Sequence, residues 1–245
     1  MKRLLDISAS FLGLLAFSPL LLPVMFLVWW QDRHSPFYLA PRVGKNEVMF
    51  TMVKLRSMIV NADRSGVDST SASDQRITGV GRFIRRYKLD ELTQLWNVLL
   101  GDMSLVGPRP NVKRETDLYT RDEKRLLSVK PGITDFASIV FSDEGDILKD
   151  SADPDLDYNR LIRPWKSRLG LHYVDHSSLL IDVRLILLTV NAIVSRSTAL
   201  KRVSALLANT GADSNLVKIA QRNQPLQPAP PPGTKEIVSS RQVTA

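Results

Sequence analysis

The sequence predicts an α+β protein, mainly helical, with an N-terminal membrane element carrying a small globular domain. Three observations predict it. Ile7 to Trp30 is a run of 24 residues without a charge. Apolar residues recur at helical spacing over Ile77–Leu100 and again over Leu179–Val194. Phe37–Met58 mixes aromatic, β-branched and Met residues around the turn-like Gly44-Lys45-Asn46, the pattern of a short β-hairpin. A chain of 245 residues holds one core domain plus appendages, and 44% hydrophobic with 24% charged residues is the composition of a folded chain. The boundaries fall at 1–30 for the membrane anchor, 31–200 for the domain and 201–245 for a basic, Pro-rich tail expected to be disordered.

The anchor comes first. A straight helix of its length spans about 36 Å, enough to cross a bilayer. Lys2 and Arg3 precede the run, but it ends in Trp29-Trp30 with no small-x-small cleavage site, so it reads as a retained element. Pro19 and Pro23 sit in its middle, and each removes an amide donor. Basic residues flank both ends, which favours keeping both on the cytoplasmic side. A helix–break–helix that re-enters the same leaflet satisfies both facts. A kinked spanning helix also fits, since membrane helices tolerate proline.

Asn61–Gln75 is polar and reads as a loop, and Ile77–Leu100 follows as a helix stopped by Gly101. Leu105–Pro110 reads as a turn-rich loop, and Asp122–Val129 as a short helix. Leu179–Val194 is interrupted by Asp182 and Arg184, which suits an amphipathic surface helix better than a second span. Beyond Val217 the chain is rich in Gln, Pro and Ser.

Composition narrows the chemistry. Without cysteine there is no disulfide and no thiolate metal site, and three histidines make a histidine-rich metal site a poor fit. The net charge is +8, yet six basic and two acidic residues from Lys201 onward put half of it in the tail. Basicity is therefore a weak argument for a nucleic-acid partner, and none is expected.

Three clusters carry the candidate chemistry. In the first, Lys54 and Arg56 are two apart and share a face if extended; two cations on one face can hold a phosphate. The second is Arg82-Phe83-Ile84-Arg85-Arg86-Tyr87-Lys88-Leu89-Asp90-Glu91. Acids that open a helix ordinarily just complement its dipole. Here they follow four cations, and a carboxylate beside guanidiniums is expected to stay ionised and close to bound phosphate. Those are the conditions for carboxylate attack on phosphorus. In the third, Gly101 to Pro110, the prolines on either side of Arg109 stiffen the loop that presents its guanidinium.

Taken in order, these clusters resemble the bacterial sugar transferase family, the monotopic phosphoglycosyltransferases. The matching residues are Arg42-Val43-Gly44, Phe50, Lys54 to Met58, Gly81 to Arg85, Asp90-Glu91-Leu92, Gln94 to Val98, Gly101 to Pro110 and Val129 to Thr134. The resemblance covers about residues 1 to 195, and Asp90 to Pro110 is its most specific stretch.

The resemblance implies transfer of a sugar-1-phosphate from a UDP-sugar to polyprenyl phosphate, with UMP released. Asp90 would be the nucleophile and Glu91 its assistant, the pair also holding Mg²⁺. Lys54, Arg56, Arg82 and Arg85 would bind phosphates. Pro108, Arg109 and Pro110 would orient the nucleotide, and Asp182 matches a family aspartate before the last helix. The anchor would be re-entrant, broken at Ser18-Pro19, with the catalytic domain on the cytoplasmic face of the bacterial inner membrane. Two departures stand out. Asp135-Phe136-Ala137-Ser138 replaces a Gly, an aromatic or Leu, and Ala-Gln, and His34 or Ser35 stands where a glycine is usual. A non-enzymatic basic scaffold for anionic lipid is the rival reading; it has no need of acids amid the arginines.

Overall fold

The apolar run folds as one helix, α1 (Lys2–Asp32), in the computed structural model, which describes residues 1–62 and 74–240. One helix stands where two joined by a break are expected: Pro19 and Pro23 lie inside it, and Ser18 Oγ donates to Leu15 O at 2.8 Å. The helix stops at Arg33, which adopts the left-handed region (φ 60°) and lays its guanidinium over the Trp29 and Trp30 rings at 4.4 and 4.2 Å.

Both ends of α1 are tied to the same body. Near its start, Lys2 Nζ lies 2.6 Å from Asp182, and Arg3 donates to the carbonyls of Val98 and Leu99. Asp6, fully enclosed, accepts from Ser104 Oγ and from the Leu105 amide at 3.0 Å. At the other end Asp32 takes a two-pronged contact from Arg56, and Leu21, Val24 and Val28 pack with Leu55, Ile84 and Leu89. The opposite face, with Phe11, Leu15, Leu22, Phe26 and Trp30, is exposed and apolar.

The hairpin forms as expected. Strands β1 (Phe37–Val43) and β2 (Met49–Leu55) pair antiparallel, Tyr38 opposite Lys54 and Arg42 opposite Phe50, across a 3₁₀ turn at Lys45–Glu47. Most of the loop expected at 61–75 lies outside the described residues.

The single helix expected over Ile77–Leu100 is three: α2 (Gly79–Arg86), α3 (Leu89–Leu92) and α4 (Leu95–Leu100). The chain breaks at Lys88, which takes a left-handed conformation (φ 53°), and turns again through Thr93 and Gln94. Helical spacing persists because each piece buries its own apolar residue: Ile84, Leu89 and Val98. Gly101 ends α4 with φ 98°, as the sequence requires.

The stretch expected as a turn-rich loop, Leu105–Pro110, begins instead in a strand. Strand β3 (Ser104–Val106) pairs in parallel with β4 (Gly132–Thr134). The two backbones approach so closely that a Cβ on Gly132 would sit 2.1 Å from the Gly107 amide nitrogen, and one on Gly107 would sit 2.4 Å from Lys130 O. Both glycines are needed by that approach, which holds Pro108 and Arg109 in place. The expected helix at Asp122–Val129 is a 3₁₀ segment over Glu123–Ser128, after a single turn, α5 (Lys113–Thr116).

Asp135 and Ser138, the departures noted above, form a reciprocal cap on α6 (Phe136–Val140): the Ser138 amide donates to Asp135 at 2.7 Å and the Asp135 amide to Ser138 Oγ at 2.8 Å. Short turns α7 (Glu144–Ile147) and α8 (Pro154–Asp157) lead through a π turn at Tyr158–Ile162 into α9 (Arg163–His176) and α10 (Leu179–Val194). Helix α10 buries Ile181, Leu185 and Leu188 and leaves Leu180, Val183, Leu187, Val190 and Ile193 exposed. It is a surface helix, but its outer stripe is apolar rather than polar.

The tail expected to be disordered from residue 201 is largely folded. Helices α11 (Arg196–Asn209) and α12 (Ser214–Gln221) put Leu200, Val203, Leu207, Leu216 and Ala220 into one core with Phe136, Leu169 and Tyr173. The Pro-rich segment then lies along the domain: Ala229 N donates to Arg160 O and Arg168 Nη2 donates to Pro230 O, at 3.0 and 2.9 Å. Apolar residues at helical spacing in α11 and α12 supply the burial that the tail's overall composition hides.

Candidate active site

Strand β2 and helix α3 bring the first two clusters together. Asn97 pairs with the free edge of β2 like a third strand, accepting from Val53 N at 2.9 Å and donating to Thr51 O at 2.7 Å. Thr93 Oγ1 donates to Val53 O at 3.0 Å. Both side chains are buried, and together they set Asp90 and Glu91 beside Lys54. On one unbroken helix Arg85 and Asp90, five residues apart, would diverge by about 140°. The reversal at Lys88 lets both face one cleft of about 740 Å³.

Arg42, Lys54, Arg82, Arg85, Lys88 and Arg109 give this cleft a cationic wall around Asp90 and Glu91. Arg109 Nη2 binds Glu91 Oε1 at 2.9 Å. Arg85 is steered by Ser57, whose Oγ accepts from its Nε at 2.9 Å. Asp90 differs from Glu91: among the described residues its carboxylate has neither an ion pair nor a hydrogen bond.

The titration behaviour follows. Burial pushes the Asp90 carboxyl above the usual carboxylate range, and Lys54, Arg109 and Arg85 only partly offset it, with Glu91 adding to the rise. At Asp90 desolvation outweighs the neighbouring guanidiniums. Burial also raises Glu91, but Arg109, Lys88 and Lys54 overcome it and hold Glu91 below its ordinary value. Glu91 in turn raises Arg109. Burial, reinforced by Arg109, lowers Lys54 to about 8.

Of the residues singled out from sequence, Asp90, Glu91, Lys54, Arg82, Arg85, Arg109 and Pro110 line the cleft. Arg56 does not. Its guanidinium turns away from Lys54, is buried, and binds Asp32 with two contacts of 2.5 and 2.7 Å plus the Ser35 carbonyl. The strand ends at Leu55, so the two-residue face rule no longer applies to it. Pro108 packs near Gly170 behind the cleft. Asp182 is enclosed, accepts from Tyr173 Oη at 2.6 Å and pairs with Lys2, outside the cleft.

For a Mg²⁺ ion the donors are oxygens only, as that ion prefers. Among the described residues no cluster of three or more acidic or histidine side chains offers a full cage. One open carboxylate, Asp90, beside the paired Glu91 suits an ion that takes most of its ligands from phosphate and water.

Sequence reasoning missed the far wall: Glu115 of α5, Glu144 of α7, Tyr158 and Lys166. These are single residues on separate elements, with no local pattern to mark them. It also missed Thr93 as a positioning residue; a Thr three residues after an acid looks like any helix-surface residue.

The chain is similar to known proteins over most of its length. The model of the bacterial sugar transferase family matches residues 1–196. The undecaprenyl-phosphate glucose phosphotransferase of Komagataeibacter xylinus is 37% identical over 77% of this chain and 35% of its own length. The UDP-N-acetylgalactosamine-undecaprenyl-phosphate N-acetylgalactosaminephosphotransferase of Aeromonas hydrophila is 33% identical over 79% of this chain and 44% of its own. The exopolysaccharide production protein ExoY of Sinorhizobium fredii is 35% identical over 78% of this chain and 84% of its own length. The chain thus spans less than half of the first two relatives.

Proposed function

The chain belongs to the bacterial sugar transferase family, and on that premise we propose that it moves a sugar-1-phosphate from a UDP-sugar to polyprenyl (undecaprenyl) phosphate. The products are polyprenyl-diphosphate-sugar and UMP, and the step opens assembly of a polysaccharide or glycoconjugate. The observation that carries the reading is Asp90: a carboxylate without a partner among the described residues, its pKa raised by burial, set among Lys54, Arg85 and Arg109. A partly buried anion without a hydrogen bond is poorly stabilised, and a more basic carboxylate is a better nucleophile.

The chemistry balances in two steps. An Asp90 oxygen attacks the sugar-bound phosphorus, the bond from that phosphorus to the bridging oxygen breaks, and UMP leaves with the electron pair. A phosphate oxygen of the polyprenyl acceptor then attacks the same phosphorus and releases Asp90. Lys54, Arg85 and Arg109 offset the approach of anion to anion. Glu91 holds Arg109 at 2.9 Å and so fixes that cation. Mg²⁺, held by Asp90 and Glu91 with phosphate oxygens, would neutralise charge on the diphosphate.

Membrane placement is part of the proposal. The exposed apolar faces of α1 and α10 support contact with lipid, and the attachment of both ends of α1 to one domain supports re-entry from the cytoplasmic side. The names of the relatives support the undecaprenyl phosphate acceptor. The test is donor alone with membrane-embedded enzyme: about one equivalent of UMP should appear, with a sugar-phosphate mass on the peptide containing Asp90. Asp90→Asn should show neither and lose turnover by about 10³-fold. A requirement for both substrates before any UMP appears would overturn the covalent route.

A further inference from the structure

The cleft has a second wall that the phosphate chemistry does not use. The Glu115 carboxylate, on α5, has no ion pair or hydrogen bond among the described residues. Glu144, on α7, is held by Lys166. Between them stands Tyr158, only 8% exposed, whose hydroxyl has no hydrogen-bond partner among the described residues and which lines the cleft. Its ring lies 5.3 Å from Lys166 Nζ. A hydroxyl and a carboxylate that line a cleft without protein partners are left to meet the polar groups of a ligand.

We propose that Glu115 and Tyr158, with Glu144 fixed by Lys166, form the sugar subsite and read the hydroxyls of a neutral sugar. The inference rests on the transfer reading above. Carboxylates cannot be the seat of the diphosphate, which belongs with the cations around Asp90. They are strong acceptors for hydroxyls. Burial raises Glu115, and its electrostatic neighbours Lys166, Arg163 and Arg42 only partly reverse this, with Glu144 adding to it. Glu144 also acts on Arg109, so the wall adjoins the phosphate end of the cleft. The sugar is the part of the donor bonded to the phosphorus that Asp90 attacks, hence the part that lies next to that end. Two acidic groups there also repel a sugar that carries its own carboxylate.

Ribose hydroxyls share this chemistry, and the experiment separates the two sources. Wild-type enzyme, Glu115→Gln and Tyr158→Phe are compared on UDP-hexose, UDP-N-acetylhexosamine and UDP-uronic acid donors, with UMP as inhibitor. Wild type should favour its best neutral donor over the uronic acid donor by at least about tenfold. Glu115→Gln should shrink that ratio about tenfold, and Tyr158→Phe should raise the neutral donor's KM about tenfold; neither should change inhibition by UMP. Variants that scale every donor equally, or that weaken UMP to the same degree, overturn the sugar assignment. UMP release by wild type with unchanged profiles in both variants sinks this inference and leaves the transfer reading standing. No UMP release from any donor sinks both. Tyr158→Phe removes one atom, so it remains decisive even if Glu115→Gln does not fold.

Discussion

At the scale of single residues, the site sets two ionisable groups against their solution behaviour. Lys54 is lowered from 10.5 to about 8, first by burial and then by Arg109. In the proposed transfer it would hold phosphate only while protonated, so kcat/KM for the donor should fall as pH rises through about 8. Lys54→Arg keeps its charge and should carry the limb to higher pH; an unmoved limb would assign it to another group. Asp90 is raised, so the folded state holds its proton more tightly than the unfolded chain does. Its ionisation therefore opposes folding at neutral pH. Asp90→Asn should melt higher than wild type at pH 7, and the difference should close as pH falls through the raised pKa. A variant both inactive and less stable would show that the carboxylate supports the fold instead.

At the scale of elements, breaks and anchors matter more than helix content. The left-handed Lys88 costs about 1 kcal/mol, and it is what lets α2 and α3 aim at the same cleft. Helix α1 is an integral part of the domain. Asp32 is pulled down to about 2, chiefly by its hydrogen bonds to Arg56, with burial opposing. A lowered carboxylate stabilises the fold above its unfolded value of 3.8, and that contribution is lost as pH falls through about 2. Arg56→Ala removes a buried guanidinium and should cost about 3 kcal/mol in detergent-solubilised protein. Donor KM should hardly change, since Arg56 lies off the cleft. Fixing both ends of α1 to one body also predicts their exposure. Single cysteines at Ser8 and Ser35, in a chain with no native cysteine, should both resist an impermeant thiol reagent applied to intact cells. Labelling of one alone would show that α1 spans the bilayer.

At the scale of the whole molecule, the C-terminal helices close the core and brace the cleft. Arg222, left-handed at the end of α12, stacks on Phe141 at 5.4 Å and reaches Asp143, which also binds Arg196 at 2.8 Å. Phe141 and Asp143 line the cleft. A chain ending at Ala220 should therefore lose thermal stability and most of its UMP release, although its composition marks the tail as expendable. A chain ending at Lys235 keeps Arg222 and the contacts of Ala229 and Pro230 and should match the full-length protein. Equal activity of the two truncations would mean that Arg222 does not shape the site.

The sequence by itself determined the features written in short range. The uncharged run became α1, the aromatic and β-branched segments became β1 and β2, and Gly101 stopped α4. Asp90, Glu91, Lys54, Arg85 and Arg109 stood out in three clusters by charge density and flanking prolines, and the family resemblance joined those clusters into one site. Tertiary structure alone decided what depends on distant partners. Arg56 went to Asp32, 24 residues away, rather than to the cleft, because the strand ends one residue before it. Asp182 went to Lys2, 180 residues away, and Asp6 to the Leu105 amide. The direction of the Asp90 shift turned on desolvation, which no count of neighbouring arginines contains. Glu115 and Tyr158 face Asp90 across a cleft only because the short elements between α5 and α9 fold the chain back, and no local period encodes that return.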